Sequence, residues 1–163
     1  MEKGSGKNAL AHEQAYQEKV GKKGKSEEGL KKLEATAMAK KLLIDADVFA
    51  DYLMGDVHAR EFFSQLPEGT FYYSPLARLE LLSADVCADQ SVRISTNALL
   101  SLGKKVEIDD TIVGSAAELR RQYNLSITDA VLVAAAINLK AELVTKKAGE
   151  FKRIANLLLM KPY

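Results

Sequence analysis

Beyond residue 41 the chain alternates between short apolar runs and stretches in which apolar residues recur every three or four positions. The runs have strand length and the recurrences have helical period. Residues 41–45 hold Leu42-Leu43-Ile44 and close on Asp45, the pattern of a buried strand. Residues 48–54 and 57–66 read as helices, with Phe49, Leu53, Phe62, Phe63 and Leu66 as core candidates. Pro67-Glu68-Gly69 signals a turn, and Phe71-Tyr72-Tyr73 a second strand. Ser74-Pro75 then has the form of an N-cap followed by proline in the first helical turn. That helix is expected over residues 75–87, and another over 92–102, closed by Gly103. Residues 105–108 are a candidate strand. Asp109 or Asp110 is placed to cap a helix to Tyr123, and Thr128 to cap one to Lys140. Residues 142–145 and 157–160 read as strands flanking a short helix over 149–155.

Strands alternating with helices through short connections imply an α/β fold with a mostly parallel central sheet, covered by helices on both faces. Ligands of such sheets bind beyond the carboxyl ends of the strands. Asp45 and Thr145 both stand at expected strand ends, and Glu80 in the helix after a strand.

Residues 1–40 follow a different pattern. Lys, Glu, Gly, Ala and Gln dominate, aliphatic residues are sparse, and Gly21-Lys22-Lys23-Gly24-Lys25 reads as a basic linker. Such a segment buries too little apolar surface to fold alone. Two domains are therefore expected: a basic, weakly structured extension over 1–40, and a folded body over 41–163. Met38 would serve as a natural start, so residues 1–37 are expected to be an extension or a fusion.

Charge changes this picture little. The net charge is +1, but residues 1–41 carry about +4 and residues 42–163 about −3. An acidic body argues against a broad basic groove for a polyanion, though not against a small metal-bridged site. Cys87 is the only cysteine, which excludes an intrachain disulfide and a cysteine-cluster zinc site. There is no signal-peptide core and no run near the roughly 18 apolar residues of a membrane span. A soluble, cytoplasmic protein with no membrane partner is expected.

Three carboxylates stand beside apolar surface, where an acid must be paired, protonated or bound to a cation. Asp45 ends the first strand. Glu80 lies within Leu76-Ala77-Arg78-Leu79-Glu80-Leu81-Leu82, where Leu76, Leu79 and Leu82 suggest a buried stripe. Asp129 opens Ala130-Val131-Leu132-Val133-Ala134-Ala135-Ala136-Ile137, the longest apolar stretch. Converging, they would form an oxygen-rich site for Mg²⁺ or Mn²⁺. Plainer roles are open to each: an N-cap for Asp45 (a role that suits Asp47 better), a surface pair with Arg78 or Lys104 for Glu80, and helix-dipole stabilisation for Asp129. Asp47, Thr145 and Glu150 are secondary candidates. Thr145 is placed either to hydrogen-bond a carboxylate or phosphate, or to cap the helix after it. His12 and His58 show no ligand spacing, and Ser74 has no nearby histidine for a hydrolase triad.

The stretches that hold these acids resemble the PIN domain, and within it the VapC-type ribonuclease toxins of toxin–antitoxin modules. Leu42-Leu43-Ile44-Asp45-Ala46-Asp47 is similar to the family's first strand, whose first acid is a metal ligand. Residues 74–82 resemble its second motif, with Glu80 in place. Residues 117–123 leading into Ile127-Thr128-Asp129-Ala130 resemble the third, and Leu143-Val144-Thr145 with Phe151-Lys152-Arg153-Ile154 the closing one. With four motifs in order, the likeness spans about residues 41–163. The resemblance implies a three-layer α/β/α fold and an endoribonuclease in which Asp45, Glu80 and Asp129 hold Mg²⁺ or Mn²⁺. It also implies an RNA substrate, a cognate antitoxin and a homodimer. In such pairs basic or aromatic antitoxin side chains enter the acidic site; residues 1–41 either do likewise or are a solvated tail.

Two positions depart from the family pattern. Lys147 stands where the family usually has asparagine or aspartate, and Glu150 where it often has aspartate or histidine. Lys147 puts the number of metal ions in question, and the activity with it. One alternative reading is a haloacid-dehalogenase-like phosphatase, with Asp45 as nucleophile, Asp47 as acid/base, and Lys104, Lys105, Asp109 and Asp110 in later motifs. The other is a PIN-like binding module with a degenerate site.

Overall fold

A computed structural model describes residues 40–66 and 69–163. The extension expected over 1–40, apart from Lys40, and the turn at Pro67-Glu68 lie outside the described residues.

The short apolar runs form five strands: β1 (Leu42–Ile44), β2 (Phe71–Tyr73), β3 (Lys104–Lys105), β4 (Glu142–Val144) and β5 (Leu158–Met160). All pair in parallel in the order β3-β2-β1-β4-β5, so the sheet is wholly rather than mostly parallel. Leu43 is in register with Tyr72 on one side and Leu143 on the other. Connectivity leaves β1 toward β2 on one side and returns to β4 on the other. The β1/β4 boundary is therefore the topological switch point, where a crevice opens beyond the strand ends.

Strand alternation divides the core between the two faces. Leu43 and Leu143 point to one face, under α5 (Asp110–Tyr123) and α6 (Ile127–Leu139), where Val133, Ala135 and Ala136 are fully buried. Leu42, Ile44, Phe71, Tyr73 and Val144 point to the other, under α1 (Ala46–Met54), α2 (Val57–Ser64), α3 (Pro75–Ser83) and α4 (Gln90–Ser101). There Phe49 packs against Phe63 and Phe71 at ring-centroid distances of 5.4 and 5.8 Å. A one-turn helix, α7 (Ala148–Phe151), buries Phe151 on the α5/α6 side. The result is the expected three-layer α/β/α arrangement.

Several boundaries differ from the sequence reading, for local reasons. The helix from Pro75 ends at Ser83, and a 3₁₀ turn (Asp85–Ala88) follows, seating Cys87 in the interior. The strand expected over 105–108 pairs only through Lys104–Lys105, and α7 stops at Phe151. α1 starts at Ala46, so Asp45 rather than Asp47 is its N-cap. α6 is capped by Ser126 rather than Thr128: Ser126 is extended, and its hydroxyl accepts from the Asp129 N–H at 3.1 Å. Asp109, not Asp110, caps α5. Among the described residues no helix is long and apolar enough to cross a membrane.

Candidate active site

Three chain segments end their strands at the same edge of the sheet. Asp45 follows β1, Ser74 follows β2 and Thr145 follows β4, and all three are buried. The Asp45 N–H bonds the Val144 carbonyl at 3.0 Å, extending the β1/β4 ladder by one step to the switch point. Both Asp45 carboxylate oxygens are engaged. Oδ1 accepts from the Ala46 N–H at 2.8 Å, and Oδ2 from the Thr145 hydroxyl at 2.8 Å. Thr145 Oγ1 in turn accepts from the Lys147 N–H at 3.0 Å. Of the two roles open to Thr145, it takes the first: it donates to a carboxylate.

Asp129 approaches from the first turn of α6. Its Oδ2 accepts from the Ser126 hydroxyl at 2.7 Å and its Oδ1 from the Lys147 ammonium at 2.5 Å. The same ammonium lies 3.7 Å from Asp45 Oδ2. Burial works against the charge on Asp129, but the hydrogen bonds from Lys147 and Ser126 outweigh it and hold the pKa below the ordinary value. Burial likewise disfavours the charged Lys147, yet the Asp129 hydrogen bond and the charges of Asp45, Asp129 and Asp47 keep its pKa above the usual lysine range.

Glu80 corrects one expectation. The apolar stretch around it suggested a buried stripe through Leu76, Leu79 and Leu82. The residues α3 buries are Ala77 and Leu81, while Leu79 is 62% exposed and Glu80 itself is exposed. The helix packs on one face only, through Ala77 and Leu81, and Glu80 falls on the other. Arg78 bonds Asn97 Oδ1 at 3.0 Å, and the Lys104 ammonium lies over the Tyr72 ring, so neither forms the surface pair considered for Glu80.

Asp45, Glu80 and Asp129 nevertheless border one cavity of about 20 Å³, together with Ser74, Leu76, Ala77, Thr128, Leu132 and Lys147. That volume holds about one water molecule or a bare ion. Asp47 does not line it. Asp47 Oδ1 is buried without a hydrogen-bond partner, and burial, with the charge of Asp45, pushes its pKa up to about 6 against the pull of Lys146 and Lys147. Glu150 is exposed on α7, away from the cavity. From sequence, Ser74 and Thr128 are expected only as helix caps. The one hint of more in Ser74 is its place, at a strand end directly before the glutamate-bearing helix.

Three carboxylates facing one space are a hard-oxygen donor set suited to Mg²⁺ or Mn²⁺. They do not form a closed ligand shell: among the described residues no three His, Cys, Asp or Glu side chains are grouped tightly enough to hold a metal ion. The centre of the charge cluster is the Lys147 ammonium. The donor chemistry suits the ion, the present spacing does not close around it, and Lys147 is what an ion would have to contend with.

The architecture is that of a parallel three-layer α/β/α domain with an acidic crevice at its switch point. The chain belongs to the PIN domain family, whose pattern matches residues 42–157. Membership places it among nucleases, hydrolases of phosphodiester bonds. It leaves the phosphatase alternative without support; Asp109, moreover, is engaged as a helix cap. No curated protein matches the chain by sequence. Among solved structures, a chain of a toxin–antitoxin complex from Klebsiella pneumoniae superposes with TM-score 0.65 at 23% identity, covering 75% of this chain and 98% of that one. A chain of VapBC2 from Rickettsia felis, bound to a promoter DNA fragment, gives 0.63 at 18%, covering 74% and 97%. DNA-bound VapBC from Salmonella typhimurium gives 0.65 at 15%, covering 76% and 99%. At these identities the likeness is one of fold.

Proposed function

We propose that this protein is the toxin of a toxin–antitoxin pair, a metal-dependent endoribonuclease acting on single-stranded RNA. One observation carries the reading: Asp45, Glu80 and Asp129, from three separate segments, border a single cavity at the switch point of a PIN fold. Asp45, Glu80 and Asp129 would hold Mg²⁺ or Mn²⁺, which when bound polarises the scissile phosphate and lowers the pKa of an attacking water. Thr145 orients Asp45 through the hydroxyl that donates to Oδ2, and Ser126 orients Asp129 from the other side. Exposed Glu80 contributes a donor from the solvent-facing rim. The acidic surplus of residues 42–163 suits contact through this small site rather than a broad basic groove.

Structural likeness to toxin–antitoxin complexes supports a cognate antitoxin as partner. A homodimer is part of the same reading, as is a cytoplasmic setting, which suits the free, buried Cys87. The test is cleavage of single-stranded RNA by the purified protein with Mn²⁺. Asp45→Asn and Asp129→Asn should keep a native circular dichroism spectrum and lose activity by roughly 100-fold or more. Undiminished cleavage by either variant would overturn the assignment.

The ion pairs of Lys147 favour a second reading, a binding module with a degenerate site. Absence of both cleavage and Mn²⁺ binding in the unaltered protein would select it.

A further inference from the structure

Lys147 is the least expected residue of the site and one of its best-held. Its main-chain N–H is tied to Thr145 Oγ1 at 3.0 Å, which places its side chain at the β4 end of the crevice. Its ammonium has three neighbours: Asp129 Oδ1 at 2.5 Å, Asp45 Oδ2 at 3.7 Å, and the buried Phe151 ring, whose centroid is 5.7 Å away. This is a cradle of two carboxylates and one aromatic face, which suits a cation. A surface lysine reaching for the nearest acid has no such enclosure.

Charge explains what the cradle does. Asp45, Glu80 and Asp129 gather three carboxylates around one small cavity; hydroxyl and main-chain donors satisfy some of their oxygens, and a cation is what offsets their mutual repulsion directly. In this structure the offset comes from the chain itself. A dication drawn to Asp45 and Asp129 meets a positive charge already hydrogen-bonded to one and paired with the other. Lys147 must leave Asp129, or share it, for the ion to be held.

We propose that Lys147 is a built-in competitor of the divalent ion: it occupies the Asp129–Asp45 position in the metal-free protein, stabilises that state, and sets a raised concentration threshold for metal loading. The inference rests on the metal-dependent reading of this site and names a control on it. Such a residue ties nuclease competence to the free divalent-ion level, because only a sufficient concentration displaces the ammonium.

The test is Mn²⁺ binding to the full chain, followed by calorimetry, beside thermal unfolding without metal. Lys147→Met keeps the length of the side chain and removes the charge; Lys147→Arg keeps the charge. Lys147→Met should bind Mn²⁺ about tenfold more tightly or better, as expected when a charge-assisted competitor is removed. It should unfold at a lower temperature than the unaltered protein without metal, and gain more from added Mn²⁺. Lys147→Arg should stay within about threefold of the unaltered affinity, since charge rather than shape is the competing property. Equal or weaker Mn²⁺ binding by Lys147→Met overturns the proposal while leaving the nuclease reading intact. Failure of both proteins, the unaltered chain and Lys147→Met, to bind Mn²⁺ overturns both readings.

Discussion

Thr145→Val isolates the hydroxyl on which the site's geometry turns. Valine matches threonine in shape, and position 145 is fully buried, so packing is kept while two hydrogen bonds are lost. The first is the 2.8 Å donation to Asp45 Oδ2, across a sequence separation of 100 residues. A hydrogen bond to a charged group contributes about 1.5–3 kcal/mol. The second is the 3.0 Å bond from the Lys147 N–H, whose loss leaves a part-buried donor unsatisfied at about 1–3 kcal/mol. The two share one oxygen and do not add in full, so a total of about 3 kcal/mol is expected. For a domain of this size that lowers the melting temperature by roughly 10 °C. Urea unfolding should show a lower midpoint with an unchanged slope, the mark of lost stability rather than a changed unfolded state. Thr145→Ser, which keeps the hydroxyl and loses a methyl, should cost about 1 kcal/mol. Nuclease activity of Thr145→Val should fall by about 10–100-fold, the usual cost of removing a group that orients a metal ligand. If Thr145→Val unfolds within about 0.5 kcal/mol of the unaltered protein, the hydroxyl does not hold Asp45, and the positioning argument is wrong.

Two further outcomes probe the surroundings. Asp51 Oδ2 accepts from Lys146 Nζ at 2.6 Å and from the Tyr163 hydroxyl at 2.7 Å, and these bonds hold its carboxyl below the ordinary 3.8. A depressed folded-state pKa contributes stability above the unfolded value and loses it as pH falls through the folded one, so Asp51→Asn should cost about 1 kcal/mol near pH 7, and the difference from the unaltered protein should shrink as the pH falls below the ordinary carboxylate range in urea titrations. Gly103 abuts the Phe71 ring so closely that an added Cβ would lie within 2.9 Å of three ring carbons. Gly103→Ala should therefore destabilise by about 1–3 kcal/mol on urea unfolding, with Phe71→Leu in the same chain recovering part of the loss; a neutral Gly103→Ala would mean that the ring shifts freely.

The parts of the site that could be read along the chain are those with local causes. Asp45 was legible because an acid closing Leu42-Leu43-Ile44 must sit at a strand end. The apolar stretch 130–137 marked a central helix with Asp129 in its first turn. Where two local signals competed, the chain alone did not decide. Thr128 is a good capping residue and the chain pattern points to it, but the extended backbone lies at Ser126, which takes the cap instead. Asp45 and Asp47 posed the same choice, and the first helical residue, Ala46, resolved it. Glu80 misled through composition: leucines on both sides imply burial only if the helix is packed on that face, and Leu79 faces solvent.

Sequence by itself determined the alternation of strands and helices, the parallel α/β class and the identity of the acids, since side-chain period, capping and turn chemistry act over four residues or fewer. Tertiary structure alone decided that residues 45, 80, 129 and 147 share one cavity, that Thr145 serves Asp45, and that Glu150 stays outside. Those relations span about a hundred positions, and they follow from β4 pairing beside β1 at the switch point, which no local pattern specifies.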